Sequence, residues 1–253
     1  MPQTTEMKHP TDAAPAHTVA SREAWLEARL ALLERERALT HERDAIAAAR
    51  RALPWVRVDK AYVFQAPEGP RTLSELFDGR SQLAVYHFML PPDSDHICPG
   101  CSFLADGVDA ARQHFEHADL SFVAVSRARI ERIEDVRERM GWRFRWVSSH
   151  GADFNRDFGV QVSAEDAAAS RSYNFGVGGW GADLPGTSIF AQDATGQVFH
   201  TYSSYARGGD ILLGAMNWLD LTPKGRNETT TMSWLRLHDE YEGAAHVRCG
   251  GGH

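Results

Sequence analysis

The chain has 253 residues and a formal net charge of -7, with a pI near 5.9. That length buries a full core in one large domain or two small ones. The acidic balance argues against nucleic acid as the main partner, because phosphate binding wants clustered Lys and Arg, and it argues against an anionic membrane surface. No apolar run approaches the about 20 residues that span a bilayer. Nothing between Met1 and His17 has the form of a signal peptide, so the expected compartment is the cytoplasm.

Residues 1–18 read as a disordered tail and 19–53 as one long helix, capped by Ser21 and rich in Ala, Leu, Glu and Arg. Trp25, Leu26, Leu30, Leu33 and Ile46 form its apolar stripe. Such a helix either lies on the main domain or pairs with a second subunit as a homodimer. Pro54 ends it. The main domain is expected over 54–222. Tyr62–Gln65 and Arg71–Leu73 read as short strands around a Pro/Gly turn, Ser74–Phe77 as a helical turn, and Leu83–Met89 as a core strand.

Further along, Leu104, Val108, Ala111 and Phe115 mark one face of a helix. Leu120–Ser126 is a strand. Ile130, Ile133, Val136 and Met140 mark a second helix closed by Gly141, and Phe144–Ser148 is a further strand. Alternation of this kind over 83–148 predicts parallel pairing with right-handed crossovers. Thr187–Gln192 and Gln197–Ser203 read as a hairpin around Asp193–Gly196, and Ile211–Leu221 as a helix. A last helix is expected within 223–242, over Met232–Tyr241, and 243–253 as a flexible tail. The expected architecture is α/β: a mixed central sheet of about five strands flanked by helices.

The chain has three cysteines. Cys249 lies in a Gly-rich end and reads as a bystander. Cys98 and Cys101 stand two residues apart between a strand and its helix, the setting in which a Cys-x-x-Cys pair acts as a redox motif. Amides at a helix N-terminus favour a thiolate, so Cys98 is the expected exposed attacking thiol and Cys101 the resolving one. Pro99 suits a helix entry and Gly100 leaves room for a partner chain. His96 is either a solvated loop histidine or an imidazolium that lowers the thiol pKa, while Asp93 and Asp95 act the other way. Zinc is the competing use of a cysteine pair. It wants two more ligands at close spacing, and none stands out. His87 reads as a sheet residue. Gly176–Gly179 lacks the strand–turn–helix setting of a phosphate loop.

Several segments resemble one bacterial family. They include Leu53-Pro54-Trp55-Val56, Leu76-Phe77-Asp78-Gly79-Arg80, Tyr86-His87-Phe88-Met89, Cys98-Pro99-Gly100-Cys101-Ser102-Phe103, Met140-Gly141-Trp142, Asp157-Phe158-Gly159-Val160, Phe199-His200-Thr201-Tyr202-Ser203 and Tyr205-Ala206-Arg207-Gly208. The family is the domain of unknown function 899, regarded as thioredoxin-like and described as predicted dithiol–disulfide oxidoreductases. The resemblance covers about residues 20–242. It implies a thioredoxin-like fold of the peroxiredoxin-like variant, a disulfide or thiol substrate (protein or small molecule) and no bound cofactor. Thioredoxins place a cis proline opposite the cysteines just before a strand, which makes Pro185 the candidate for that position in the substrate groove. Peroxiredoxins carry Pro-x-x-x-Thr/Ser-x-x-Cys, and Pro91, Asp95 and Cys98 match it except that Asp95 replaces the hydroxyl residue. Thiol–disulfide exchange is therefore the leading expectation. A thiol peroxidase with Cys98 as the peroxidatic thiol is the alternative, and a non-catalytic interaction or metal-binding module is the third reading.

Overall fold

A computed structural model describes residues 17–168, 173–176, 179 and 181–241. The expected tail up to residue 16, Trp180, Val177 and Gly178 of the Gly-rich loop, and Cys249 with its tail lie outside these residues. The strands are β1 (Val56–Arg57), β2 (Val63–Ala66), β3 (Gly69–Thr72), β4 (Gln82–His87), β5 (Leu120–Ser126), β6 (Arg145–Ser148), β7 (Gly186–Gln192) and β8 (Val198–Tyr205). The helices are α1 (Arg22–Arg51), α2 (Pro99–His117), α3 (Ile130–Met140), α4 (Phe154–Asp157), α5 (Ala164–Ala168) and α6 (Gly214–Leu219), with short 3-10 turns between them.

All eight strands join one sheet in the order β1-β8-β7-β4-β5-β6-β2-β3. The centre is parallel: β4 pairs β5 from Gln82↔Leu120 to His87↔Val125, and β5 pairs β6. On the other side of β4, β7 and β8 form an antiparallel hairpin. The expected five strands are too few. The β2–β3 hairpin joins the same sheet through a Gln65↔Ser148 pair, and the two-residue β1 pairs with β8. A strand of two exposed residues leaves no periodicity to read.

Strands β4 and β5 are almost entirely buried because both faces of the sheet are covered. On one face, α2 packs on β5 and α3 on β6, over a core that includes Tyr86, Phe88, Leu104, Ile133, Val136, Trp142, Phe144 and Trp146. Ile133, Val136 and Met140 are the buried side of α3, which stops at Gly141 in the left-handed conformation (φ 66°) that glycine adopts without strain. On the other face, Leu83, Val85, Val123 and Val125 pack with Phe64, Phe77, Phe154 and Phe190. A parallel centre with flanking helices and an antiparallel hairpin is the thioredoxin-like arrangement, and α1 is an added element.

Helix α1 is capped by the Ser21 side chain, which accepts from Ala24 N. None of its residues is buried. Trp25 (48% exposed) and Leu30 (53%) stand in solvent, and Arg50 near its end stacks over the Tyr202 ring at 5.4 Å. The expected helix over 232–241 does not form. That stretch is turns followed by a 3-10 turn at His238–Glu240. Leu235 and Leu237 are both buried; two residues apart, they share a face only in extended chain. The helix expected at 211–221 is likewise shorter, being α6 after a 3-10 stretch over Ala206–Leu212.

Gly186 opens β7 at a point of close approach. A Cβ there would lie 2.6 Å from the Tyr205 ring and 3.2 Å from Val160. Gly186→Ala is therefore expected to lower the urea unfolding midpoint, by about 1–3 kcal/mol of stability for an overpacked core. An unchanged midpoint in chemical denaturation would show that Tyr205 yields freely.

Candidate active site

Strand β4 delivers the chain to the site. Beyond His87, Phe88 N donates to Val125 O (3.0 Å) and Ala128 N donates to Leu90 O (2.9 Å), so the parallel register continues past the strand. Ser126 Oγ donates to Phe88 O (2.7 Å) and accepts from Trp146 Nε1 (2.9 Å). After a loop with exposed Asp93, Ser94, Asp95 and His96, Ile97 turns inward and Cys98 becomes the N-cap of α2, with φ -65° and ψ 115°. Pro99 occupies the first helical position, where a missing N–H costs nothing.

The Cys98 sulfur accepts from Cys101 N (3.4 Å), taking the role that a Ser or Asp oxygen usually plays at a helix start. Both cysteines are free thiols. Hydrogen bonding from the Cys101 thiol pulls the Cys98 pKa down to about 7. Burial opposes this shift, and the amides of Cys101 and Gly100 add to it. Burial pushes the Cys101 thiol well up, and its bond to Cys98 pushes it further. The two thiols are thus unequal: Cys98 holds the negative charge and Cys101 the proton.

Cys98 is not an exposed thiolate, being only 8% exposed. Its sulfur faces a cavity of about 360 Å³ whose walls include Met89, Leu104, Pro185, Leu213, Met232 and Leu235. Pro185 does lie across this cavity from the cysteines, but its peptide bond is trans, since none of the described bonds is cis. Its carbonyl accepts from the Tyr173 hydroxyl, which also accepts from Ala206 N (2.8 Å). Gly100 borders the same cavity. His96 is exposed and is not among the groups that shift the thiol, nor are Asp93 and Asp95.

Two features escaped the sequence reading. The first is Tyr86, on the α2 side of β4, whose buried hydroxyl is hydrogen-bonded to the Cys101 sulfur; Met89 N also donates to that sulfur (3.4 Å). Period-two alternation along β4 and into Phe88 places Ala84, Tyr86 and Phe88 on one face, and a phenol on that face next to the last residue of the strand was the available signal. The second is the strap of residues 220–241, which lays Met232 and Leu235 over the cavity. The Asp153–Asp157 cluster forms part of a separate surface network, with Lys60 Nζ bonded to Asp153 (2.8 Å) and Asp157 (2.6 Å).

His87 sits on the opposite face of the sheet from the cysteines. Its Nε2 meets Ser188 Oγ at 2.9 Å, while Nδ1 has no partner among the described residues. Burial lowers its pKa to about 3, so the ring is neutral at pH 7. Among the described residues no three His, Cys, Asp or Glu side chains gather as a metal cluster, and no helix is long and apolar enough to cross a membrane.

Residues 14–241 match the model of a family described as bacterial protein of unknown function (DUF899). No curated protein matches the chain. Among solved structures, a peroxiredoxin Q of Xanthomonas campestris is 17% identical, with a TM-score of 0.41 over 71% of this chain and 99% of that one. The peroxidoxin BcpB of Mycobacterium tuberculosis is 16% identical, with a TM-score of 0.38 over 67% and 97%. A putative protein disulfide isomerase of Bacteroides thetaiotaomicron is 16% identical, with a TM-score of 0.37 over 65% and 91%.

The site's electrostatics predict a specific pH profile. A lowered pKa means that Cys98 is thiolate above about pH 7 and loses that form below it. Alkylation of Cys98 by a small neutral reagent, followed by peptide mass spectrometry, should rise with a midpoint near 7 while Cys101 stays unmodified. Cys101→Ala removes the leading donor and should move the midpoint up. A wild-type midpoint at about 8.5, the ordinary thiol value, would contradict this arrangement.

Proposed function

We propose that this chain, which belongs to the DUF899 family of bacterial proteins, is a thiol–disulfide oxidoreductase that works through Cys98 and Cys101. The observation that carries the reading is the division of roles between the two thiols: one sulfur poised as thiolate at the start of α2, and its partner held protonated and hydrogen-bonded to it. In the reducing direction, the Cys98 thiolate attacks one sulfur of a disulfide, and the other sulfur leaves as a thiolate that takes up a proton. Cys101, freed of its proton, then attacks the mixed disulfide at Cys98 and releases the second thiol. The two electrons pass to the substrate, which leaves as two thiols, and the protein is left with a Cys98–Cys101 bond; the reverse sequence oxidises a dithiol.

The second attack needs a negative charge on a buried sulfur, which burial alone opposes. Tyr86 and the Met89 amide supply donors there. Removing the phenolic donor should leave the first step intact and slow the second. Tyr86→Phe is expected to accumulate the Cys98 mixed disulfide, resolving it at least about tenfold more slowly, because a hydrogen bond to a charged group is worth about 1.5–3 kcal/mol. Quench-flow with mass detection reads both steps, and unchanged resolution would remove Tyr86 from the mechanism.

The overall reading is tested by titrating the protein through a glutathione redox series and counting free thiols. A single two-electron midpoint that disappears in Cys101→Ala is expected. A value near about -270 mV marks a reductase and one near about -120 mV an oxidant. If no Cys98–Cys101 bond forms at any potential, the reading fails.

A further inference from the structure

The wall of the cavity over Cys98 has a chemistry that the exchange reaction by itself does not require. Among the described residues no Lys, Arg or His lines it, and the one carboxylate that does, Asp210, is already paired with Arg207 (2.9 Å) and Arg226 (3.3 Å). An anion entering would lose its water and find no free cation among the described residues, and a dication would meet only the single charge of the Cys98 thiolate, so either transfer is costly. The remaining surface is largely side chains such as Met89, Leu104, Leu213, Met232 and Leu235. A volume of about 360 Å³ lies at the small end of ligand pockets.

Access is set by the strap. Met232 sits over the first turn of α2, and its sulfur lies 3.4 Å from where a Cβ on Gly100 would stand. It holds a left-handed backbone (φ 60°), with its N–H donated to Glu228 Oε2 at 2.6 Å. Both ends of the strap are fastened. Arg226 forks onto Asp220 with two 2.9 Å bonds, and Trp234 Nε1 donates to Arg226 O (2.8 Å). Arg139 forks onto Asp239 and reaches Glu240, and His238 Nδ1 meets Asp106 at 2.7 Å. Gly100 therefore faces a segment of the same chain, where the sequence pointed to room for a partner chain.

Exchange at sulfur requires the attacking, central and leaving sulfurs to line up. A disulfide must therefore be inside this cavity to react with Cys98. A disulfide in a folded protein arrives with two backbone segments, their Cα atoms about 4.4–6.8 Å apart, and the strap sets Met232 and Leu235 on the wall of the cavity that those segments would have to approach. We propose that the substrates are small, uncharged, apolar disulfides, or the corresponding thiols in the reverse direction, and that the strap excludes protein disulfides. This rests on the exchange function proposed above and adds the substrate class.

The test is a single turnover of the fully reduced, full-length protein, read by mass spectrometry as formation of the Cys98–Cys101 bond. In one turnover the protein is itself the reductant: it becomes a disulfide as one substrate disulfide becomes two thiols. The probes are dipropyl disulfide, cystamine (a dication), 3,3′-dithiodipropionate (a dianion) and insulin, each rate divided by that of 2-mercaptoethanol with the same probe. Dipropyl disulfide is expected to exceed each charged probe by about 100-fold or more, as an unpaired charge in an apolar site implies, with insulin slowest. Met232→Ala, a change at a half-buried position, should raise the insulin rate by about tenfold or more, with folding checked by the urea midpoint. Equal normalised rates for all four probes in the wild type would overturn the substrate class and leave exchange standing. Failure to form the Cys98–Cys101 bond with any probe would overturn exchange itself, and this inference with it.

Discussion

The parallel pairing of β4 with β5 fixes everything else about the site. Six residue pairs in register, from Gln82↔Leu120 to His87↔Val125, carry the backbone to the sheet edge, and the bonds from Phe88 to Val125 and from Ala128 to Leu90 extend the register beyond it. These buried amides have no water to turn to, so a slip of one residue would leave them unpaired and reverse every side chain on β4. Tyr86 would exchange faces with His87. The hydroxyl that reaches Cys101 and the imidazole that must stay neutral are assigned their sides by this one register.

The same period of two divides the protein into unlike halves. The α2 side of the sheet holds the cysteines, Tyr86 and the aromatic group of Phe88, Trp142, Phe144 and Trp146. The other side holds an aromatic and aliphatic core in which His87 is the polar exception. Rigid packing behind Phe88 matters for the chemistry, because the Phe88 carbonyl is held by Ser126, itself held by Trp146. Met89, the next residue, presents its amide to Cys101 from a backbone that has little freedom to move.

Local signals in the sequence were reliable where local physics decides the outcome. The spacing of Ile133, Val136 and Met140 ahead of Gly141 marked α3 to its last residue, and Ser21 marked the start of α1. The β–α–β alternation foretold the parallel centre, and a Cys-x-x-Cys between strand and helix foretold the N-cap position of Cys98. What stayed hidden depends on contacts between distant segments. The cavity that Cys98 lines is walled in part by Met232 and Leu235, far downstream, in a stretch whose apolar residues imitate a helix. The stretch is instead turns up to Trp234, followed by extended chain over Leu235–Leu237. Pro185 shows the same limit: the thioredoxin resemblance and its position just before a strand suggested its place opposite the cysteines, but its peptide bond is trans.

Cys98 serves two masters, since the atom that would exchange sulfur bonds is also the acceptor that closes the first turn of α2. A thiolate is a strong acceptor for backbone amides, and a sulfur bonded to another sulfur is a weak one. A bond from Cys98 to another sulfur would therefore loosen the helix start, and the energy of that step is tied to the integrity of a single helical turn.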